Sequence, residues 1–515
     1  MHTSDSPIKK RPIFPLSDRG WLGVILAVFI LSREFYRLAG VTFHAGSTST
    51  MHFISTDLLR NDLLRSIFFS HTQPPLFNFL RGLVLKVFPG EALFVFHTVY
   101  IYLGLLLAAS LFLLTRRLGV SGALSAALTA LFIVSPSCIL FENTLSYTYP
   151  VTVFLCVSAL ALHSYLRDGR LLSLTLFFFL LALVVLTRSS FHIVWFIASA
   201  ALLLIFQRYD WKRILITAAL PFFLVFSLYA KNWYFFGNFS SSTWMGMSLC
   251  KMTTSRLPEE DRVSLIGQGK LSELTLLPPF KSLRFYSSQV NTPRFKKTGI
   301  PVLDLEFYPE VENNWNNLAY VSISNQYLKD AKTVLKTHPG VYLRSLTESF
   351  RIFFFPASDW FHGNPQYDNL RIAPVEKMFN TVFYGQFFNT FSPITTTGTY
   401  NDYFRSPWRM GFFLFLGFLI ALFYGAHEIR LALKKNSKDT PVALTLLFMV
   451  GTILYVTLVS NLLEVGENNR FRFDIDPFIL IITGLFLSHM AEQILRRPEL
   501  PGESPLRPDD TPKSG

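Results

Sequence analysis

The amino-acid sequence predicts an all-α protein that crosses a membrane many times, and three observations carry that expectation. Half of the 515 residues are hydrophobic and only 16% are charged, against about 25% charged in soluble domains. Several apolar runs reach the roughly 17 to 25 residues that a bilayer crossing needs. The surplus of 47 Lys and Arg over 34 Asp and Glu gathers between those runs, a placement that reads as membrane topology and not as a nucleic-acid surface. Three cysteines, Cys138, Cys156 and Cys250, are too few and too scattered for a disulfide framework. No His/Cys/Asp spacing predicts a metal site.

The first apolar run, 21–40, follows Lys9, Lys10, Arg11 and Arg19 and has no small-residue cleavage site behind it. It reads as an uncleaved span. Further runs cover 91–114, 122–137, 147–166, 171–187, 191–206, 214–230, 410–424, 441–460 and 475–489, so about ten spans are expected. Short loops rich in Lys and Arg resist translocation. Arg116 and Arg117, Arg167 and Arg170, Arg208 with Lys212 and Arg213, and Arg430 with Lys434, Lys435 and Lys438 all fall on the amino-terminal side. Both termini are therefore expected in the cytoplasm, and the basic-poor connections 138–146, 188–190 and 461–474 on the outer face.

Two long segments, 41–90 and 231–409, also lie outside on this reading. The expected organisation is an amino-terminal membrane module (1–230) holding the first outer loop, a large outer domain (231–409), carboxy-terminal membrane helices (410–495) and a Pro- and charge-rich disordered tail (496–515). Two stretches of the outer domain are amphipathic and suited to lie in the interface. One is 341–356, interrupted by Arg344, Glu348 and Arg351; the other is 378–391, where Phe379, Phe383, Phe387 and Phe391 recur every fourth residue. Either would invert the downstream orientation if it crossed. No internal repeat appears, nor a pair of Gly/Pro-broken spans in matching halves, which weakens a transporter reading.

Polar residues concentrate most densely in the first outer segment. Asp57 and Asn61, four apart, share a helix face. Asp62 lies five residues from Asp57, about 140° further round, so the two carboxylates diverge and only one is a candidate base. Asp62 has Arg65 at three residues' spacing and Asp57 has Arg60, so ion pairing is the plain alternative for each; a carboxylate at a helix N-terminus is another for Asp57. Pro75 disfavours helix at Pro74, predicting an extended break that starts the next helix and presents His71 and Gln73.

His71-Thr-Gln-Pro-Pro-Leu76 resembles the His-Pro-Pro-Leu or Lys-Pro-Pro-Leu element of the GT-C membrane glycosyltransferases, which include protein O-mannosyltransferases and aminoarabinose transferases. Asn232-Trp-Tyr-Phe-Phe-Gly-Asn-Phe-Ser-Ser-Ser-Thr-Trp-Met-Gly246 is similar to the family's entrance to its large outer loop, and His338-Pro-Gly-Val-Tyr-Leu343 to a later element. Glu464-Val-Gly-Glu-Asn-Asn-Arg-Phe-Arg-Phe-Asp-Ile-Asp-Pro477 resembles a Glu...Arg-Tyr...Pro element between the last two spans. The sequence departs from the pattern in its inserted Gln73. Relatives often carry two adjacent acidic residues, whereas Asp57 stands seventeen positions before Pro74 beside Leu58. The base is thus left between Asp57 and Asp62.

The resemblance implies a GT-C-like bundle and transfer of a hexosyl or pentosyl group from a polyprenyl-phosphate carrier to an envelope lipid, glycan or protein at the outer face. A carboxylate general base would supply about 10² to 10⁴ in rate, and arginine would meet the departing phosphate with two donors. Arg470 and Arg472, one of them fixed by Glu467, are candidates; interfacial anchoring is the alternative. Arg188, between two tightly joined runs, is another, with snorkelling to lipid headgroups as its alternative. Glu142 and Asn143 are read as holding the acceptor or an arginine, or else as solvated loop residues. His97 and His163 lie within runs and are read as packed polar groups. The expected partners are membrane lipid, the lipid-linked donor and the acceptor; no cofactor is expected, and a divalent metal is compatible. A bacterial inner membrane is the expected location. The competing reading is a transporter or flippase of a lipid-linked saccharide, which would place charges along a mid-span pathway.

Overall fold

An apolar segment in lipid has no water to satisfy its peptide groups and must bond them internally. The computed structural model describes residues 16–45, 53–290, 297–308, 313–362, 372–387, 410–435 and 440–495, and these are overwhelmingly helical, with an isolated bridge between His44 and Thr144. The amino-terminal part forms α1 (Asp18–Leu38), α2 (Thr56–Asn61), α3 (Leu63–Phe69), α4 (Leu76–Val87), α5 (Ala92–Arg117), α6 (Gly122–Ile133), α7 (Pro136–Glu142), α8 (Thr148–Asp168), α9 (Leu171–Thr187), α10 (Ile193–Phe206) and α11 (Trp211–Phe236). The long middle segment follows as α12 (Met245–Met252), α13 (Glu259–Gly267), α14 (Leu283–Gln289), α15 (Pro301–Asp304), α16 (Ala319–Thr337), α17 (Pro339–Phe353), α18 (Asp359–His362) and α19 (Ala373–Tyr384). The chain closes with α20 (Phe412–Lys435), α21 (Thr440–Leu463), α22 (Asn468–Phe473) and α23 (Asp476–Leu495).

The protein is an all-α, multi-pass membrane protein. Among the described residues six helices are long and apolar enough to cross a membrane, namely α5, α8, α11 with the turn before it, α20, α21 and α23. The ten apolar runs do not all become such helices. The run 122–137 splits into α6 and α7, bent by 59°, which make a seventh crossing if they act as one. Its cause is local: Pro136 has no N–H to continue the ladder, and Ser135 caps the new helix by accepting from Cys138 N–H at 3.2 Å. α9 and α10 have 17 and 14 residues, about 25 and 21 Å at 1.5 Å per residue, short of the roughly 30 Å hydrocarbon layer. α1 covers the first run but carries Arg33, Glu34 and Arg37 in its last turns.

α8 is buried on nearly every side, packed by α5, α9 and α21, whereas α11 turns Ile216, Leu220 and Phe223 outward as a lipid-facing stripe. The middle segment builds an apolar cluster of its own from Trp244, Met247, Tyr286, Trp315, Tyr320 and Tyr327. α17 and α19, at 15 and 12 residues, are not among the helices able to cross. The expected Phe stripe is shorter than the sequence spacing implies. α19 keeps Phe379 and Phe383 but stops at Gly385, whose φ of 70° is the left-handed C-cap that glycine favours. Phe387 falls beyond the helix, and Phe391, like the tail 496–515, lies outside the described residues.

Candidate functional site

The polar segment before the Pro-Pro break divides into two short helices, α2 and α3. Ser55 caps α2, and Asn61 donates its amide to Asp57 Oδ1 at 2.6 Å, so the shared face exists. Asp62, at φ −138° and ψ 46°, ends α2 and starts α3. The ion pairs expected within this segment do not form. Arg65 donates instead to the Gly299 carbonyl at 2.7 Å and Arg60 to the Pro89 carbonyl at 3.4 Å. Among the described residues neither Asp57 nor Asp62 makes an ion pair, and Asp57 stays exposed.

The break at 70–75 is present, but it spends His71 on structure. The ring is fully buried between Thr243 Oγ1 at 2.8 Å and the Asn316 carbonyl at 2.9 Å. A carbonyl only accepts, so Nε2 carries the proton and Nδ1 accepts from the Thr243 hydroxyl. Burial is the main cause that pushes the imidazole down to about 3, so it is neutral. Asn316 Oδ1 also accepts from His71 N–H at 3.0 Å and from the Thr72 hydroxyl at 3.1 Å. His71 therefore clasps the 70–75 break to the segment that holds Thr243 and Asn316, with no ring nitrogen left for a substrate. Gln73 points elsewhere: its Oε1 accepts from the Ser189 hydroxyl at 3.1 Å, next to Arg188.

The arginines separate by which guanidinium edge they spend. Arg33 places Nε and Nη2 side by side on Glu142, at 2.9 and 2.6 Å, and gives Nη1 to the Ile133 carbonyl at 2.9 Å. Tyr149 donates to Glu142 as well, at 2.6 Å. Glu142 is fully buried and not a solvated loop residue, and its oxygens are taken by groups from α1 and α8. Asn143 is bonded locally, its amide donating to the Ile139 carbonyl at 2.9 Å. Arg472 likewise lays Nε and Nη2 on Asp476, at 2.8 and 3.4 Å, while Nη1 donates to the carbonyls of Phe353 and Phe355. It ties α17 to α23 and does not face a donor phosphate.

Arg188 differs. Its side chain is 1% exposed, buried and not snorkelling, and its Nη1 donates to Asp474 Oδ1 at 2.5 Å. Its Nε and Nη2, the edge that binds two oxygens, have no hydrogen-bond partner among the described residues, nor has Asp474 Oδ2. The guanidinium lies 4.5 Å from the Phe471 ring and 5.5 Å from Tyr147. Arg470 shares that ring at 5.6 Å, stands 5.1 Å from Trp360, and pairs with Glu467 as anticipated. Phe77, just after the Pro-Pro break, meets Tyr147 edge-on at 6.0 Å.

Burial pushes the Asp474 carboxyl up, with Arg188 and Arg470 pulling against it. The cluster thus joins α4, the start of α8, the turn after α9 and the 464–475 loop around two guanidinium groups in a water-poor setting. Such a site suits a phosphate: a fork for two oxygens, a second cation, and aromatic walls. Among the described residues no hydrogen bond or ring contact joins Asp57 or Asp62 to it. Sequence reasoning missed Arg33 and Asp474. The available signal was that an arginine confined between two tight helices requires an anion, and Asp474 stood within the quoted 464–477 run.

No protein-family model matches the chain, and no curated protein does. A solved structure to which it is similar is the crystal structure of ArnT from Cupriavidus metallidurans bound to undecaprenyl phosphate, with 15% sequence identity and a TM-score of 0.31, covering 94% of this chain and 82% of that one.

Proposed function

We propose that the protein is a membrane glycosyltransferase of the GT-C type that moves a sugar from a polyprenyl-phosphate carrier to an envelope lipid, glycan or protein at the outer face. The observation that carries this reading is the buried Arg188 fork, Nε and Nη2, which has no protein partner and lies beside Arg470 and Tyr147. Sugar transfer turns a phosphodiester into a phosphate monoester, so charge grows on the leaving group. Arg188 would take two of its oxygens and Arg470 would add positive field, both worth more where water is excluded. Asp57 is the candidate general base, since its carboxylate is exposed and oriented by Asn61, with Asp62 as the second choice. The motif order from His71 to Pro477 supports the same family reading, with both termini in the cytoplasm of a bacterial cell.

The test uses purified protein in nanodiscs with a panel of labelled polyprenyl-phosphate sugars and extracted envelope acceptors. Wild type is expected to transfer label, and Asp57→Asn to lose transfer while remaining inserted and abundant. Movement of intact lipid-linked saccharide across vesicles without any transfer would establish the flippase reading instead.

A further inference from the structure

Resting on the phosphate reading of that site, the geometry points to Asp474 as a positioning residue, which holds Arg188 by Nη1 alone so that the Nε and Nη2 edge stays turned to two oxygens of one phosphate. A carboxylate beside a guanidinium ordinarily takes the Nε and Nη2 edge with both of its own oxygens, as Glu142 does on Arg33 and Asp476 on Arg472. Asp474 instead makes a single contact, Oδ1 with Nη1 at 2.5 Å, and both side chains are at most 1% exposed. Asp474 Oδ2 and Arg188 Nε and Nη2 are left without hydrogen-bond partners among the described residues. The rings of Phe471 and Tyr147, at 4.5 and 5.5 Å, limit how far the guanidinium plane can swing.

Two consequences follow from chemistry. With the phosphate absent, Asp474 keeps a buried arginine from being an uncompensated charge, a state that is strongly disfavoured. With the phosphate present, the arginine is already held in the orientation that two oxygens require, so less freedom is lost on binding. An amide at 474 would still fill the space but would neither neutralise Arg188 nor fix it by a charge-assisted bond.

The test measures binding of a polyprenyl phosphate to the full-length protein in nanodiscs, together with thermal stability and donor KM. Asp474→Asn is expected to bind at least about tenfold more weakly, as loss of a charge-assisted contact implies, with donor KM raised more than kcat is lowered and acceptor KM unchanged. Asp474→Glu is expected to recover part of that loss. Arg188→Lys, which keeps the charge but not the fork, is expected to bind at least about tenfold more weakly with little change in stability, and it decides the matter if Asp474→Asn does not fold. Wild-type affinity in Asp474→Asn, with only a lower thermal midpoint, would overturn the positioning role and leave the phosphate site standing, whereas wild-type affinity in Arg188→Lys would overturn the fork as the phosphate contact and the positioning role with it. No affinity in wild type would overturn the phosphate reading and this role with it.

Discussion

A buried arginine has five N–H donors, and its role follows from which of them the protein spends. Arg33 and Arg472 spend theirs on carboxylates and carbonyls, whereas Arg188 keeps back the three N–H of Nε and Nη2. The same logic makes His71 a structural residue although the sequence offered it as a ligand, because both ring nitrogens are engaged. Its titration has a measurable consequence. The folded imidazole stays neutral down to about 3, while the unfolded one takes up a proton near the usual 6.5. Between those values the unfolded state binds one more proton, so the contribution of His71 is complete above about 6.5 and is lost as pH falls, by at most roughly 1.4 kcal/mol per pH unit. His71→Gln is expected to be less stable at pH 7.5 by about 1 to 3 kcal/mol and to lose stability less steeply on acidification. Thermal midpoints in detergent from pH 7.5 to 4.5 check this; an unchanged slope would place the ionising group elsewhere.

The helices α12 and α16 depend on close backbone approach, and here the sequence was only partly legible. The aromatic richness of this stretch was readable in the sequence, and Trp244, Tyr286, Trp315, Tyr320 and Tyr327 from it pack into one cluster. The role of Gly246 was not, because it depends on α16, some 80 residues away. A Cβ on Gly246 would stand 1.7 Å from the Ser324 carbonyl oxygen and 2.8 Å from Leu328 N, both backbone atoms of α16. No side chain can move aside to relieve that, so α12 and α16 must part. Gly246→Ala is expected to cost about 1 to 3 kcal/mol, whereas Gly340→Ala, with nothing within 4 Å, is expected to be neutral or to gain about 0.4 to 1 kcal/mol by restricting the unfolded chain. Paired unfolding measurements in one detergent compare the two; equal losses would mean that α12 and α16 do not meet as described. The α6–α7 bend was legible in principle, since Ser135-Pro136 interrupts the run, but hydrophobicity alone read through it.

At the scale of the whole molecule several polar contacts gather at two ends of the bundle, and which end faces outward is the test of the proposed outer-face site. One end holds Gln73 with Ser189, Arg188 with Asp474, and Tyr342 with the Leu462 carbonyl. The other holds Arg116 with Asp18, Arg117 with Ser164, and Tyr165 with Asp210. The ends were legible from the spacing of apolar runs and of Lys and Arg. The partners were not, since Arg188 and Asp474 are 286 positions apart, and no local pattern specifies such a pair. The basic residues of the second end, with Arg167, Arg170 and Arg213 nearby in sequence, are the ground for expecting it on the side that resists translocation. Cysteine labelling tests this without disturbing the site, because Cys138, Cys156 and Cys250 are all buried. Lys270 and Tyr209 are exposed, the former in the middle segment and the latter in the turn before α11. In intact cells a membrane-impermeant thiol reagent is expected to modify Lys270→Cys and to reach Tyr209→Cys only after permeabilisation. The opposite pattern would put the Arg188 cluster on the cytoplasmic side, where an outer-face donor could not reach it.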